Sequence, residues 1–358
     1  MKAEAASDMR RKKVTLHDLA DKLGLSVQTV SKALSGKPGM SEQTRSDVFR
    51  QARELGYLTK AQTNAFAYER ISPYPIVQRR FVLLHTEQSL NFNRLLLDGL
   101  HDRFTEFGHR VDPVLIPAEL QPDDFAEWAE TAGIGFAEGV FIAPRMASER
   151  LERLLLALPV PRILLNFPPH EVNVDSVIWD VGEAVYQSVM HLRKLGHSRI
   201  LYVGDIGAQR GFRLRWQTFR DAIEGGSEAA APTVRLPLLA YVPEQVKFDA
   251  RAFIDRYREL QPSAILCAID ELAVPVYRAL TDAGVRVPAD CSLIGIVNEQ
   301  TDDLPLLTRP LLLIKECGFR AADRMLWRIA NPSTPYEHIR VRGGFYAGST
   351  TSPYTAND

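Results

Sequence analysis

Residues 15–36 read TLHDLADKLGLSVQTVSKALSG, two short amphipathic stretches that meet at Gly24. In the first, Leu16, Leu19, Ala20 and Leu23 recur at three- and four-residue intervals and make one apolar stripe, which predicts a helix. Thr15 and Asp18 are placed as a capping box at its start. The second stretch opens at Ser26, an N-cap residue type, and turns Val30, Ala33 and Leu34 inward. Ala20 is small where two helices must cross closely, Gly24 supplies the positive φ of a tight turn, and Val30 inserts between the helices. That spacing of Ala, Gly and Val is a helix-turn-helix signature. A third helix is expected after Ser41, ending at Gly56, with Val48, Ala52 and Leu55 facing the other two. Three helices of this size make only a minimal core.

The outward face of the second helix carries the chemistry. Val27 with Ser31 and Gln28 with Lys32 are each four residues apart and so form one patch. Gln pairs bidentately with adenine, Lys reaches guanine O6 and N7, and Val meets a thymine methyl, as a recognition helix in a major groove requires. A plain three-helix bundle would share the core but give no reason for the patch. Charge agrees: residues 1–60 hold 12 Lys and Arg against 7 Asp and Glu, while the whole 358-residue chain carries a net charge of -1. A small basic head on a larger acidic body points to a polyanion as the head's partner. Arg10 to Lys13 reads equally as an arm near DNA or as a solubilising tail within a basic segment 1–13.

The stretch VTLHDLADKLGLSVQTVSKALSGKPGMSEQTRSDVFRQARELGY resembles the headpiece of the LacI/GalR family of bacterial transcription regulators through TLHDLA, SVQTVSKAL, SEQTR and ELGY. The resemblance implies a DNA-binding head over 14–58, in which Val27, Gln28 and Lys32 read bases while Thr15, Ser26, Thr29, Ser31 and Arg45 hold the phosphate backbone. It also implies a hinge helix and linker over 59–80, TKAQTNAFAYERISPYP, with Thr63 and Phe66 at the minor groove and Phe66 as the wedge. The family's Pro-Asn start is replaced here by Thr59-Lys60, so a flexible linker with Phe66 packed on the body is the competing reading.

Beyond residue 80, apolar runs at 81–85, 111–116, 139–144, 162–166, 200–205, 264–269 and 292–297 alternate with helical patterns at 92–107, 122–131, 148–158, 182–195, 243–260, 270–284 and 316–330. With 46% hydrophobic residues the chain can bury a large core, and strands buried on both faces imply parallel sheets covered by helices. There are too many strands for one sheet, so two α/β lobes are expected. This part resembles the periplasmic-binding-protein-like (type I) core of the same family. Lobe 1 is placed at about 81–177 and 309–338, and lobe 2 at about 178–308 and 339–358.

The resemblance implies an effector cleft at the carboxyl ends of the strands, with Phe92, Asn166, Arg215, Tyr241, Ile269, Asp270, Val297 and Asn298 around it. Arg215 takes the place of the family's effector-binding arginine, a planar fork for vicinal hydroxyls or a carboxylate. Ile269 and Val297 stand where the family has polar residues, which leaves Arg215 short of a carboxylate neighbour and favours an anionic or less polar ligand. Trp216 reads as core packing and His197 as a loop-fixing side chain.

Cys267, Cys291 and Cys317 lack C-x-x-C spacing and read as reduced core thiols, and the first thirteen residues hold no apolar signal core. No metal motif, phosphate loop or nucleophile elbow occurs. The expectation is a cytoplasmic, nucleoid-associated bacterial regulator that is not an enzyme. It needs no metal or cofactor and does not bind membranes. It would act as a homodimeric repressor on a palindromic double-stranded DNA operator, controlled by a small-molecule effector such as a sugar, a sugar acid or another small polar or anionic metabolite. The alternatives are a regulator with a degenerate pocket answering to a protein partner, and a solute-binding protein.

Overall fold

A computed structural model describes residues 14–35, 40–55, 57, 78–88, 90–146, 148–225, 239–243 and 247–355. The basic segment 1–13 and the hinge residues Thr63 and Phe66 lie outside them. The chain divides into two compact units, Met1–Val77 and Gln78–Asp358.

The first unit holds helices α1 (Leu16–Leu23), α2 (Val27–Leu34) and α3 (Glu42–Leu55). Leu19, Ala20, Val30, Ala33, Val48 and Ala52 are buried together, with Leu16, Leu23, Leu34 and Leu55 packed around them, so the apolar stripes close on one another as the periodicity requires. Leu25 and Met40, between the helices, also join this core.

The second unit contains two parallel sheets. The first has the strand order β11-β5-β4-β3-β1-β2, from β1 (Arg80–His85), β2 (Arg110–Leu115), β3 (Gly139–Ile142), β4 (Arg162–Leu164), β5 (Asp175–Trp179) and β11 (His338–Val341). The second has the order β7-β6-β8-β9, from β6 (Ile200–Val203), β7 (Leu239–Tyr241), β8 (Ala264–Cys267) and β9 (Ser292–Gly295). A two-stranded antiparallel ribbon of β10 (Arg309–Pro310) and β12 (Phe345–Tyr346) lies where the chain passes between lobes. The expected strands occur; the first ends at His85 as expected, and the others stop a residue or two short of their expected carboxyl ends.

Helices α4 (Leu90–Glu106), α5 (Phe125–Thr131), α6 (Glu149–Leu156) and α11 (Ile314–Ala330) belong with the first sheet, and α7 (Val181–Lys194), α8 (Arg210–Glu224), α9 (Ala250–Leu260) and α10 (Ala273–Asp282) with the second. Helices α4 and α11 touch backbone to backbone at Gly99 and Gly318. A Cβ on Gly99 would sit 1.9 Å from the Lys315 carbonyl oxygen, and one on Gly318 would sit 2.2 Å from that of Leu96. No larger residue fits at either crossing point.

Several expectations need correction. Strand β11 pairs with β5 from His338 to Val341, so the first lobe extends past 338 and the chain leaves it after 341. Arg80, placed in the linker, already belongs to β1. Helix α8 was not among the expected helices, because four arginines interrupt its stripe; one of them, Arg215, is buried alongside Phe212, Phe219, Ala222 and Ile223. The helix expected from 243 starts at Ala250, capped by Asp249, whose carboxylate accepts from the Arg251 and Ala252 amides.

Candidate functional site

In the head, Thr15 caps α1. Its amide donates to Asp18 Oδ2 at 2.7 Å, and the Asp18 amide donates to Thr15 Oγ1 at 3.3 Å. Gly24 ends the helix at φ 63°, the left-handed conformation that glycine adopts without a steric penalty. Ser26 caps α2: its Oγ accepts from the Thr29 amide at 3.1 Å and lies 2.8 Å from Thr29 Oγ1. The turn therefore presents the positive end of α2 with one of its orphan amides, that of Thr29, already satisfied. Gln28 and Lys32 are exposed, one turn apart, so both side chains are free to enter a groove. Val27, Thr29, Ser31 and Arg45 are half-buried, and Val27 packs partly on the head core, leaving only part of its surface to meet a base.

In the second unit the carboxyl ends of both sheets open onto one cleft. Arg145 follows β3, Asn166 follows β4, Asp205 follows β6, Asp270 follows β8 and Asn298 follows β9, so the ends of five strands supply its polar groups. The inner part is a cavity of about 310 Å³ lined by Phe92, Trp179, Asn166, Arg215, Asp270 and Asn298, among others. A second cavity of about 680 Å³ shares Pro144, Arg145, Asn166, Gln209, Phe212 and Glu271 with it and is also bounded by Glu152, Arg210, Phe248 and Ile269. Both volumes fall within the range of small-molecule sites.

Arg215 is 8% exposed. One terminal nitrogen donates to the Ala268 carbonyl, while Nε finds no partner among the described residues. Burial pulls its pKa down to about 10, countered in part by Tyr202 and by the carboxylates of Glu271 and Asp270. Asp270 accepts from the Asn298 amide at 3.1 Å and from Asn298 Nδ2 at 2.8 Å. Burial raises its pKa, and the Asn298 amide offsets only part of that. Phe92 lies against Trp179, ring centroids 4.6 Å apart, and supplies an apolar wall. Asn166 is held by donating to the Pro144 carbonyl at 2.9 Å and accepting from the Phe167 amide at 2.8 Å.

Two expected residues are absent from the cleft. Val297 is buried in the hydrophobic core of the second lobe, and Tyr241 packs edge-on against Phe253, centroids 5.5 Å apart, with its hydroxyl donating to the Asp249 carbonyl at 3.3 Å. Neither lines a cavity. Arg215 makes no ion pair with a carboxylate among the described residues, although Asp270 and Glu271 line the same cavity. Trp216 packs on Phe219 and Tyr202, and His197 ties the loops by bonding Ser263 Oγ at 3.1 Å and the Ser352 carbonyl at 3.0 Å.

Sequence reading missed Trp179, Phe212 and the ion pairs that join the lobes. These are Arg145 with Glu271 at 2.9 Å, Arg94 with Glu299 at 2.7 Å, and Arg210 with Glu152 at 2.7 and 2.5 Å. Each joins residues more than 50 positions apart, which no local pattern reveals. Only Arg210 and Phe212 were within reach, since they flank the stretch RLRWQTF that marked Arg215.

Residues 15–60 match the profile of the bacterial regulatory proteins, lacI family, and residues 189–351 that of the periplasmic binding protein-like domain. The HTH-type transcriptional regulator AglR of Rhizobium meliloti (strain 1021) is 28% identical over 351 residues, 95% of each chain. Among solved structures, the Lac repressor dimer bound to operator and the anti-inducer ONPF superposes with a TM-score of 0.63 at 20% identity, over 95% of this chain and 100% of that one. The CelR–cellobiose complex, a transcriptional regulator, gives 0.62 at 20%, over 94% and 100%.

Proposed function

We propose, from the premise that this chain belongs to the LacI family of bacterial regulatory proteins, that it acts as a homodimeric repressor whose hold on DNA is set by a sugar in its interlobe cleft. It is a DNA-binding transcription regulator and not an enzyme. Among the described residues, no helix is long and apolar enough to cross a membrane. The proposed setting is the bacterial cytoplasm, on chromosomal DNA. Two heads would read the halves of a palindromic operator, with Gln28 and Lys32 on base edges, Val27 at a thymine methyl, and the first turn of α2 facing phosphate.

The observation that carries the effector reading is Arg215, a buried guanidinium with an unpartnered Nε at a cavity of about 310 Å³. Such a group is costly unless something completes its bonding, and a ligand hydroxyl would do so. Asp270, Asn298 and Asn166 offer further polar contacts, and the Phe92–Trp179 pair suits the apolar face of a sugar ring. Because Arg215 and Arg145 are balanced by Asp270 and Glu271, a neutral polyhydroxylated ligand fits better than a strongly anionic one. CelR was solved with cellobiose, which supports this class.

Titration calorimetry with a panel of mono- and disaccharides, sugar acids and sugar phosphates tests the reading. A neutral sugar is expected to bind, and Arg215→Gln to weaken it about tenfold or more, roughly 1.4 kcal/mol. No heat from any compound would instead favour control by a protein partner.

A further inference from the structure

We propose that Arg210 and Glu152 form a clamp that closes the cleft before any ligand enters it, making Arg210 the positioning residue for the face of the site that carries Arg215. Among the described residues, Arg94–Glu299, Arg145–Glu271 and Arg210–Glu152 cross between the lobes, and they differ in kind. Arg94 and Glu299 are about half exposed, with side-chain exposures of 52% and 46%, and Glu271 in the pair with Arg145 is likewise 46% exposed. Exposed pairs of this sort hold weakly because water and salt screen them.

Arg210 is 21% exposed, as Arg145 is at 20%, and both pairs are two-pronged; what sets the Arg210 pair apart is its buried carboxylate and its shorter bonds. Glu152 has a side-chain exposure of 6%, and each of its oxygens accepts from a different terminal nitrogen of Arg210, at 2.7 and 2.5 Å. The third donor of the same guanidinium, Nε, reaches the Phe167 carbonyl at 2.8 Å. One side chain of the second lobe thus makes three charge-assisted bonds to two elements of the first. A planar arginine fork is suited to this and lysine is not.

The arrangement couples to the ligand site through α8. Arg210 is the first residue of that helix, and Phe212 and Arg215 follow within its first two turns, both lining the inner cavity. Fastening Arg210 to the first lobe fixes the end of α8 that presents Phe212 and Arg215. Glu152 explains why closure depends on Arg210. It sits on α6 beside Leu151, Leu155 and Leu156, all buried, so bringing the lobes together without Arg210 would strip water from an uncompensated carboxylate.

Distance measurement by double electron–electron resonance tests the clamp with no ligand added. Nitroxides are placed through Glu127→Cys on α5 and Asp255→Cys on α9, both exposed, while the three native cysteines are buried. Labelled chain is diluted into unlabelled chain so that only distances within one chain contribute. The expected result is one narrow distance for the parent, a longer and broader distribution for Arg210→Gln and for Glu152→Gln, and no change for Arg94→Gln. Circular dichroism confirms folding, and if one clamp variant fails to fold, the other gives the same reading. A parent-like distribution in both clamp variants overturns the proposal, as does an equal shift from Arg94→Gln or a parent that is already broad.

Discussion

Lys32 and Gln28 stand one turn apart on the exposed face of α2, and neither contributes to the head core, so replacing either is expected to change recognition without unfolding the head. Lys32→Ala is expected to lower operator affinity by about 1–3 kcal/mol and to relax selectivity at one base pair, while leaving the head's melting temperature unchanged. Binding arrays with single-base operator variants check this, and an equal loss on every sequence would make Lys32 a phosphate contact. The outward position of Gln28 and Lys32 was legible in the sequence because helical periodicity alone decides which side chains face away from a three-helix core. Val297 and Tyr241 could not be placed the same way. Each ends an apolar strand run, and whether such a residue turns into the lobe core or into the cleft depends on partners far along the chain.

Among the elements, β5 and α11 are joined by the most deeply buried charges described. Asp175 is fully buried at the start of β5 and accepts from Arg324 at 2.6 and 2.9 Å, from Arg328 at 2.5 and 3.2 Å, and from the Glu337 amide at 2.8 Å. Burial alone would raise its pKa, but these donors outweigh it and hold the carboxyl below its ordinary value. Asp175→Asn leaves Arg328 without a counter-charge and Arg324 with only the half-exposed Glu337, and is expected to destabilise the core by roughly 3–5 kcal/mol, measured by urea unfolding. The same residues show where sequence reading stops. DSVIW opens on two polar residues and is too short for a periodic signal, so β5 escaped notice until its arginine partners, about 150 positions on, were brought against it. Strands such as FVLLH and the capped helices α1 and α2 were legible because their causes are local: a continuous apolar run, a Thr–Asp capping box, a Ser N-cap and a glycine that must take positive φ.

At the scale of the whole molecule, two units with separate tasks share one chain: a basic head able to read a groove and a two-lobed core able to enclose a small molecule. Their coupling is a free-energy difference. A ligand that prefers one lobe arrangement must change DNA affinity by the factor by which DNA changes ligand affinity, and about 1–3 kcal/mol gives a 5- to 150-fold effect. Fluorescence anisotropy tests this on an operator selected from random duplexes, titrated at fixed salt with and without the sugar found by calorimetry. The expected result is binding at least about a thousandfold tighter than to random DNA. The sugar should then shift operator affinity at least about fivefold in the full-length chain, and Arg215→Gln should need about tenfold more sugar for the same shift. Equal affinity for operator and random duplex, or an operator affinity untouched by a sugar that saturates the cleft, would contradict the account.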